Sequence, residues 1–172
     1  DVGAGNHIVF GDNGVLTGAA TGMILATQAL ITMTTARSMS ATVGDADDIK
    51  LGLGASTVIG GFGADIIDTT IVTGGLFVDG DDVIIGDNGR IVQNTADGSA
   101  TAHLTLVETT ANSIGDIDTV TTGTGGDVIL LGEGADILTD MGGNNIVLGD
   151  HGRIVGLDQA PVDGQGRPIT LS

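Results

Sequence analysis

Gly125-Gly126-Asp127-Val128-Ile129, Gly134-Ala135-Asp136-Ile137-Leu138 and Gly143-Asn144-Asn145-Ile146-Val147 follow one another with Asp127, Asp136 and Asn145 nine residues apart. They define a template, Gly-x-[Asp/Asn]-x-U, in which U is a large apolar residue. Nine residues upstream, Asp118-Thr119-Val120 fits without its glycine. The same phase runs earlier through Asp47-Asp48-Ile49, Gly54-Ala55-Ser56-Thr57-Val58 and Gly63-Ala64-Asp65-Ile66-Ile67. Single copies stand at Gly80-Asp81-Asp82-Val83-Ile84 and Gly5-Asn6-His7-Ile8-Val9. Self-similarity at a fixed short period marks a repeat architecture rather than a conventional globular core.

A longer period encloses the short one. Gly-Asp-[Asn/His]-Gly occurs at Gly11, Gly86 and Gly149, each time after an apolar triplet, and two copies continue as Arg90-Ile91-Val92 and Arg153-Ile154-Val155. Each of the first two copies leads into an irregular stretch with a Thr-rich apolar segment, Ile31-Thr32-Met33-Thr34-Thr35 or Leu106-Val107-Glu108-Thr109-Thr110. The chain then returns to the nonapeptides through Gly-Asp-x-Asp, at Gly44 to Asp47 and Gly115 to Asp118. The block Ile71–Val78 is extra in the first unit. Residues 1–155 therefore read as a repeat array and 156–172, which hold both prolines, as a non-repeating exit segment or cap.

Composition agrees with thin stacked strands. Gly numbers 31, aromatics are 2% and Cys is absent, so Ile, Val and Leu must fill the interior. The net charge of −17 excludes nucleic acid and anionic lipid as natural partners, since both require basic patches. Only Glu108 and Glu133 among the 22 acidic residues are not Asp. Asp belongs in turns, whereas Glu suits helices, so this bias places the carboxylates in turns. The chain contains no apolar run long enough to span a membrane as a helix. Val15–Leu30 is Ala-rich and leaves a short helix open there; after residue 44, no helix longer than two turns is expected.

Physically, three residues such as Asp127-Val128-Ile129 make a short strand with U turned inward, and the glycine-containing remainder makes a turn. Two nonapeptides complete one coil of about eighteen residues, so the turns stack in two columns. Asp in successive turns then superimposes carboxylates, which is repulsive unless a cation lies between them. Oxygen donors without Cys or clustered His favour Ca²⁺ over transition metals. The expected fold is all-β: a β-solenoid, parallel β-roll-like, with interspersed hairpin or irregular segments. Ile67, Val83, Ile84, Ile129, Leu138 and Val147 are its core candidates.

Gly60-Gly61-Phe62-Gly63-Ala64-Asp65-Ile66-Ile67 and Gly132-Glu133-Gly134-Ala135-Asp136-Ile137-Leu138 resemble the calcium-binding nonapeptide of the repeats-in-toxin (RTX) family, G-G-x-G-x-D-x-U-x. The resemblance covers roughly half of the chain. It implies that Asp65, Asp127 and Asp136, then Asp47, Asp82 and Asp118, supply carboxylate oxygens to Ca²⁺. Asn145 and the turn glycines Gly63, Gly125 and Gly134 complete the implied metal set. Ser56 and His7 depart from the pattern by standing in the Asp slot. The Gly-Asp-x-Gly super-repeat also departs from an uninterrupted β-roll and looks like large bacterial surface proteins. Type I secretion is a further implication of the family.

Other features read more plainly. Asp12, Asp87 and Asp150 suit turn capping, and Asp-Asn-Gly between apolar runs is a hairpin signal. His7, His103 and His151 are scattered, and Arg90 and Arg153 suggest salt bridges to a stacked Asp. No nucleophile–base pair or carboxylate dyad suggests an enzyme. The resulting expectation is a calcium-dependent structural segment of a secreted or surface protein, such as an adhesin, surface layer or filament. It would continue into further repeats or self-associate head to tail. The alternatives are a solenoid that binds ice or glycans, or the non-catalytic secretion module of an RTX enzyme or toxin.

Overall fold

The computed structural model describes residues 2–20, 31–94 and 103–156. Among them every regular element is a strand, so the chain is all-β. Strands β1 (Ile8–Phe10), β5 (Thr57–Ile59), β9 (Val83–Ile85), β13 (Val128–Leu130) and β15 (Ile146–Leu148) form a parallel central sheet in that order. A second parallel sheet, the outer sheet, consists of β4 (Asp48–Lys50), β6 (Ile66–Asp68), β12 (Thr119–Thr122) and β14 (Ile137–Asp140). The chain alternates between the two, from β4 to β5 to β6 and from β12 to β13 to β14 to β15. One nonapeptide carries it across, and two return it to the same sheet.

Slot residues adjacent in one column stand 18 apart wherever nothing intervenes, as for Asp47 and Asp65, Asp118 and Asp136, and Asp127 and Asn145. Ser56 and Asp82 stand 26 apart, the excess being the eight residues Ile71–Val78. That block folds on itself as the antiparallel hairpin β7 (Ile71–Thr73) and β8 (Leu76–Val78). The circuit length is therefore constant, and the extra segments are looped out of it.

The larger insertions make a third layer. Strands β2 (Gly14–Ala20), β3 (Ile31–Ser38), β10 (Gly89–Asn94), β11 (His103–Thr109) and β16 (Arg153–Val155) form an antiparallel sheet ordered β16-β11-β10-β3-β2. Each irregular stretch thus supplies a β-hairpin, and β3 pairs with β10 across the two hairpins. Neighbouring strands lie about 4.8 Å apart, so a two-stranded hairpin advances as far as two circuits. A hairpin at every second circuit keeps this sheet in step with the central one. Of Val15–Leu30, left open to a short helix by its Ala content, the part up to Ala20 belongs to strand β2; the rest of that stretch up to residue 30 lies outside the described residues.

The Gly-Asp-x-Gly phrases are the junctions. Each joins a central strand to an antiparallel one: β1 to β2, β9 to β10, and β15 to β16. This corrects the hairpin expectation, because β1 pairs with β5 and β2 with β3, never with each other. The turn chemistry is as expected, but the triplet before it already has parallel partners on the central sheet.

The central sheet is covered on both faces. Its middle residues Val58, Ile84 and Ile129 pack with Ile49, Ile67 and Val120 of the outer sheet. Their neighbours Ile59, Ile85 and Leu130 pack with Met33, Ala36, Ile91 and Val107 of the antiparallel sheet. Of the core candidates, Ile67, Ile84 and Ile129 are fully buried, while Val83 and Leu138 are partly so. Val147 is 43% exposed. It occupies the same strand position as Ile129, but β15 is an edge strand of its sheet and nothing described lies beyond it.

Aspartate ladders and a candidate cation site

The slot residues form two ladders. At the turns leading into the outer sheet, Asp47 N donates to Asp65 Oδ1 (2.8 Å), Asp65 N to Asp118 Oδ1 (2.8 Å) and Asp118 N to Asp136 Oδ1 (2.9 Å). At the turns leading into the central sheet, Ser56 N donates to Asp82 Oδ1 (2.7 Å), Asp82 N to Asp127 Oδ1 (2.9 Å) and Asp127 N to Asn145 Oδ1 (2.8 Å). The slot carbonyl takes the first amide of the next strand, as Asp65 O does from Thr119 N. Asp or Asn fits this slot because it must accept from the residue one circuit away while its own backbone stays in the ladder. Ser56 brings no carboxylate to its ladder: its amide donates to Asp82, its carbonyl accepts from Val83 N (2.9 Å), and its buried hydroxyl has no partner.

These bonds use Oδ1 and leave Oδ2. The Oδ2 atoms of Asp47, Asp65, Asp82, Asp118, Asp127 and Asp136 are all buried without a hydrogen-bond partner. Six unpartnered acceptors at equivalent positions are a property of the repeat, since isolated buried acceptors are rare and costly. Backbone oxygens stand beside three of them. A methyl group placed on Gly11 would strike Asp47 Oδ2 and the Gly60 carbonyl, one on Gly60 Asp65 Oδ2 and the Gly86 carbonyl, and one on Gly86 Asp118 Oδ2 and the Leu131 carbonyl. Glycine is needed there for close approach of carboxylate and carbonyl oxygens. At Gly63 and Gly134 it is needed for backbone shape, with φ of 116° and 149°. Gly125 packs against the Gly80 carbonyl of the preceding circuit.

Burial without a counter-charge moves these groups. Asp65 and Asp82 are pushed up to about 7 and Asp118 to about 8, chiefly by loss of water, with like-charged neighbours adding to the rise. Asp127 and Asp47 shift upward for the same leading reason.

Asp79, Asp82 and Asp127 come closest to a complete site, with one carboxylate oxygen from each lying within 4.8 Å of the others. Asp82 and Asp127 are each 1% exposed. Asp79 follows the β7–β8 hairpin and is held by Thr69 Oγ1 (2.9 Å) and the amides of Gly123 (2.5 Å) and Gly125 (2.7 Å). This triad could hold a metal ion, and its all-oxygen donor set fits a hard cation. Sequence reasoning selected Asp82 and Asp127 but missed Asp79. The available signal was an extra Asp three residues ahead of the slot, beside the block that breaks the period.

No family model, curated protein or solved structure matches the chain. Its chemistry must therefore be read from its own geometry.

The junction aspartates behave differently from the slots. Asp12 accepts from Asp45 N (3.3 Å) and Phe62 N (2.6 Å). Asp87 accepts from Glu133 N (2.5 Å), packs against Gly115, and keeps Oδ1 buried without a partner. Each clamps two turns distant in sequence rather than capping its own, which corrects the local reading. Asp87 is 2% exposed and pushed up to about 7, mainly by burial. Asp150, the third copy, is exposed. The salt-bridge expectation is corrected too: Arg90 (2.7 Å) and Arg153 (3.2 Å) both pair with Glu108, not with a stacked Asp. Antiparallel pairing puts Glu108 opposite both arginines. His151 meets Glu133 at 2.8 Å, and His7 meets the Gly3 carbonyl at 3.1 Å.

Proposed function

We propose that the chain is a calcium-dependent structural repeat segment of a secreted or surface protein, folded as a β-solenoid of the parallel β-roll kind with a hairpin layer on one side. The observation that carries this reading is the set of buried, unpartnered Oδ2 atoms in two stacked ladders. Calcium would bind those oxygens together with turn carbonyls, with Asp47, Asp65, Asp82, Asp118, Asp127 and Asp136 as carboxylate ligands. Constant 18-residue circuits through two parallel sheets support the solenoid description. The likeness of the nonapeptide to the RTX pattern supports calcium and an extracellular setting, where the ion is abundant.

The role is mechanical rather than catalytic: a segment loose in calcium-poor cytosol and rigid outside the cell. Further units of the same kind, in the same chain or another copy, would continue it. Among the described residues no strand lies beyond β14, β15 or β16, so each keeps the backbone groups that its internal counterparts use to bind the next circuit. No described residue comes near Gly149, where the equivalent Gly86 meets the Leu131 carbonyl.

Isothermal titration with Ca²⁺, with Mg²⁺ as control, tests the reading. Calcium should bind at several sites with dissociation constants of roughly 10⁻⁴–10⁻³ M or tighter, and magnesium much more weakly. Asp118→Ala should lose binding, whereas Asp48→Ala, an exposed position paired with Lys50, should not. Absence of calcium heat, with an unchanged circular dichroism spectrum, would reject the proposal.

A further inference from the structure

We propose that Asp79 converts one position of the central ladder into a distinct three-carboxylate cation site, filled before the others, that fastens the β7–β8 hairpin to the stacked circuits. The inference rests on the calcium reading above and adds a ligand outside the nonapeptide slots.

Three observations carry it. First, Asp79, Asp82 and Asp127 are the only His, Cys, Asp or Glu residues among the described ones that gather three ligand atoms within 4.8 Å. Second, the Oδ2 atoms of Asp82 and Asp127 have no hydrogen-bond partner, although each residue is only 1% exposed. Third, Asp79 is positioned rather than free: Thr69, Gly123 and Gly125 hold its carboxylate, and a methyl group on Gly123 would collide with it. Backbone has been brought unusually close to this side chain from two directions.

The consequence follows from charge and connectivity. Affinity for Ca²⁺ rises with the number of carboxylates and with site rigidity. Among the described residues, the slots of the outer ladder gather no third ligand atom within 4.8 Å, whereas this site does. Asp79 directly follows Val78, the last residue of β8, so a cation on it pins the base of the hairpin. The hairpin pairs only with itself and leaves Val72, Leu76 and Phe77 exposed, so its base at Asp79 is where a cation would add most to its attachment.

Calcium titration of the full chain and of Asp79→Asn is the test. The wild type should show one tight equivalent followed by weaker ones. In Asp79→Asn the tight step should weaken about tenfold while the later steps stay, with Asp150→Asn as an exposed control that changes neither. Hydrogen exchange at Leu76–Val78 should slow with the first equivalent of calcium in the wild type only. Should the variant fold poorly, europium luminescence lifetimes on the wild type keep the test open: the first equivalent should carry fewer bound waters than later ones. Indistinguishable titrations for wild type and Asp79→Asn, or one uniform europium lifetime, would overturn the three-carboxylate site yet leave calcium binding standing. Failure of the wild type to bind calcium at all would overturn both readings.

Discussion

The central and outer strands are written with the same nonapeptide but not with the same triplets. Central strands read Val83-Ile84-Ile85, Val128-Ile129-Leu130 and Ile146-Val147-Leu148; outer strands read Asp48-Ile49-Lys50, Thr119-Val120-Thr121 and Ile137-Leu138-Thr139. In both, the middle residue points between the two parallel sheets. Only the central strands have a second layer behind them, and only they are apolar throughout at the residue after the middle one: Phe10, Ile59, Ile85, Leu130 and Leu148, against Lys50, Asp68, Thr121 and Thr139. The slot sets the circuit, and the residues around U report how many faces of the strand are covered.

Core truncation sharpens this contrast with the largest expected effect. Ile84→Ala, measured by denaturant unfolding in saturating calcium, should cost about 2–5 kcal/mol, because the site is sealed on every side. Leu138→Ala, partly buried on the edge strand of the outer sheet, should cost less than half as much. Equal losses would break the layered account.

Acid titration separates the ladders from an ordinary acidic surface. Asp65, Asp82 and Asp118 have metal-free folded values of about 7 to 8, against 3.8 ordinarily. A raised folded value means that protonation favours the native state. This contribution is fully present below about pH 4 and is lost as pH climbs through 7 to 8. In chelator, the midpoint of thermal unfolding should therefore rise as pH falls from 8 to 5. With calcium bound the same groups are ionised, so the trend should flatten or reverse. A metal-free midpoint that falls over that interval would contradict the buried ladders.

The period was legible in the sequence because glycine, Asp and an apolar residue recur at fixed offsets, and this was enough to place six of the slot carboxylates in two stacks. The hairpin layer was only half legible. Ile31–Thr35 and Leu106–Thr110 have strand composition, but nothing in them says that they pair across units to cover the central sheet. Gly-Asp-Asn-Gly misled because its turn chemistry is the same at a hairpin and at a sheet-to-sheet junction. The partner of Arg90 was hidden in a cross-strand register, and Asp79 in the return path of an insertion.

Junction clamps should matter less than core packing but more than surface ion pairs. Asp87→Asn weakens a buried acceptor of the Glu133 amide and should cost about 1–3 kcal/mol in chemical denaturation. Asp150→Asn, the same position without turns to clamp, should stay within about 0.5 kcal/mol. Smaller still, Glu108→Gln removes a partly exposed partner of Arg90 and Arg153 and should change stability by less than about 1 kcal/mol.

The central claim, that cations occupy the space left by the unpartnered Oδ2 atoms and hold the two ladders together, is tested most directly by the thermal midpoint of the full chain at pH 7.5 in millimolar calcium and in excess chelator. The account predicts a folded, cooperatively melting protein with calcium and loss of that transition, or a midpoint lower by tens of degrees, without it. The same midpoint under both conditions would contradict it.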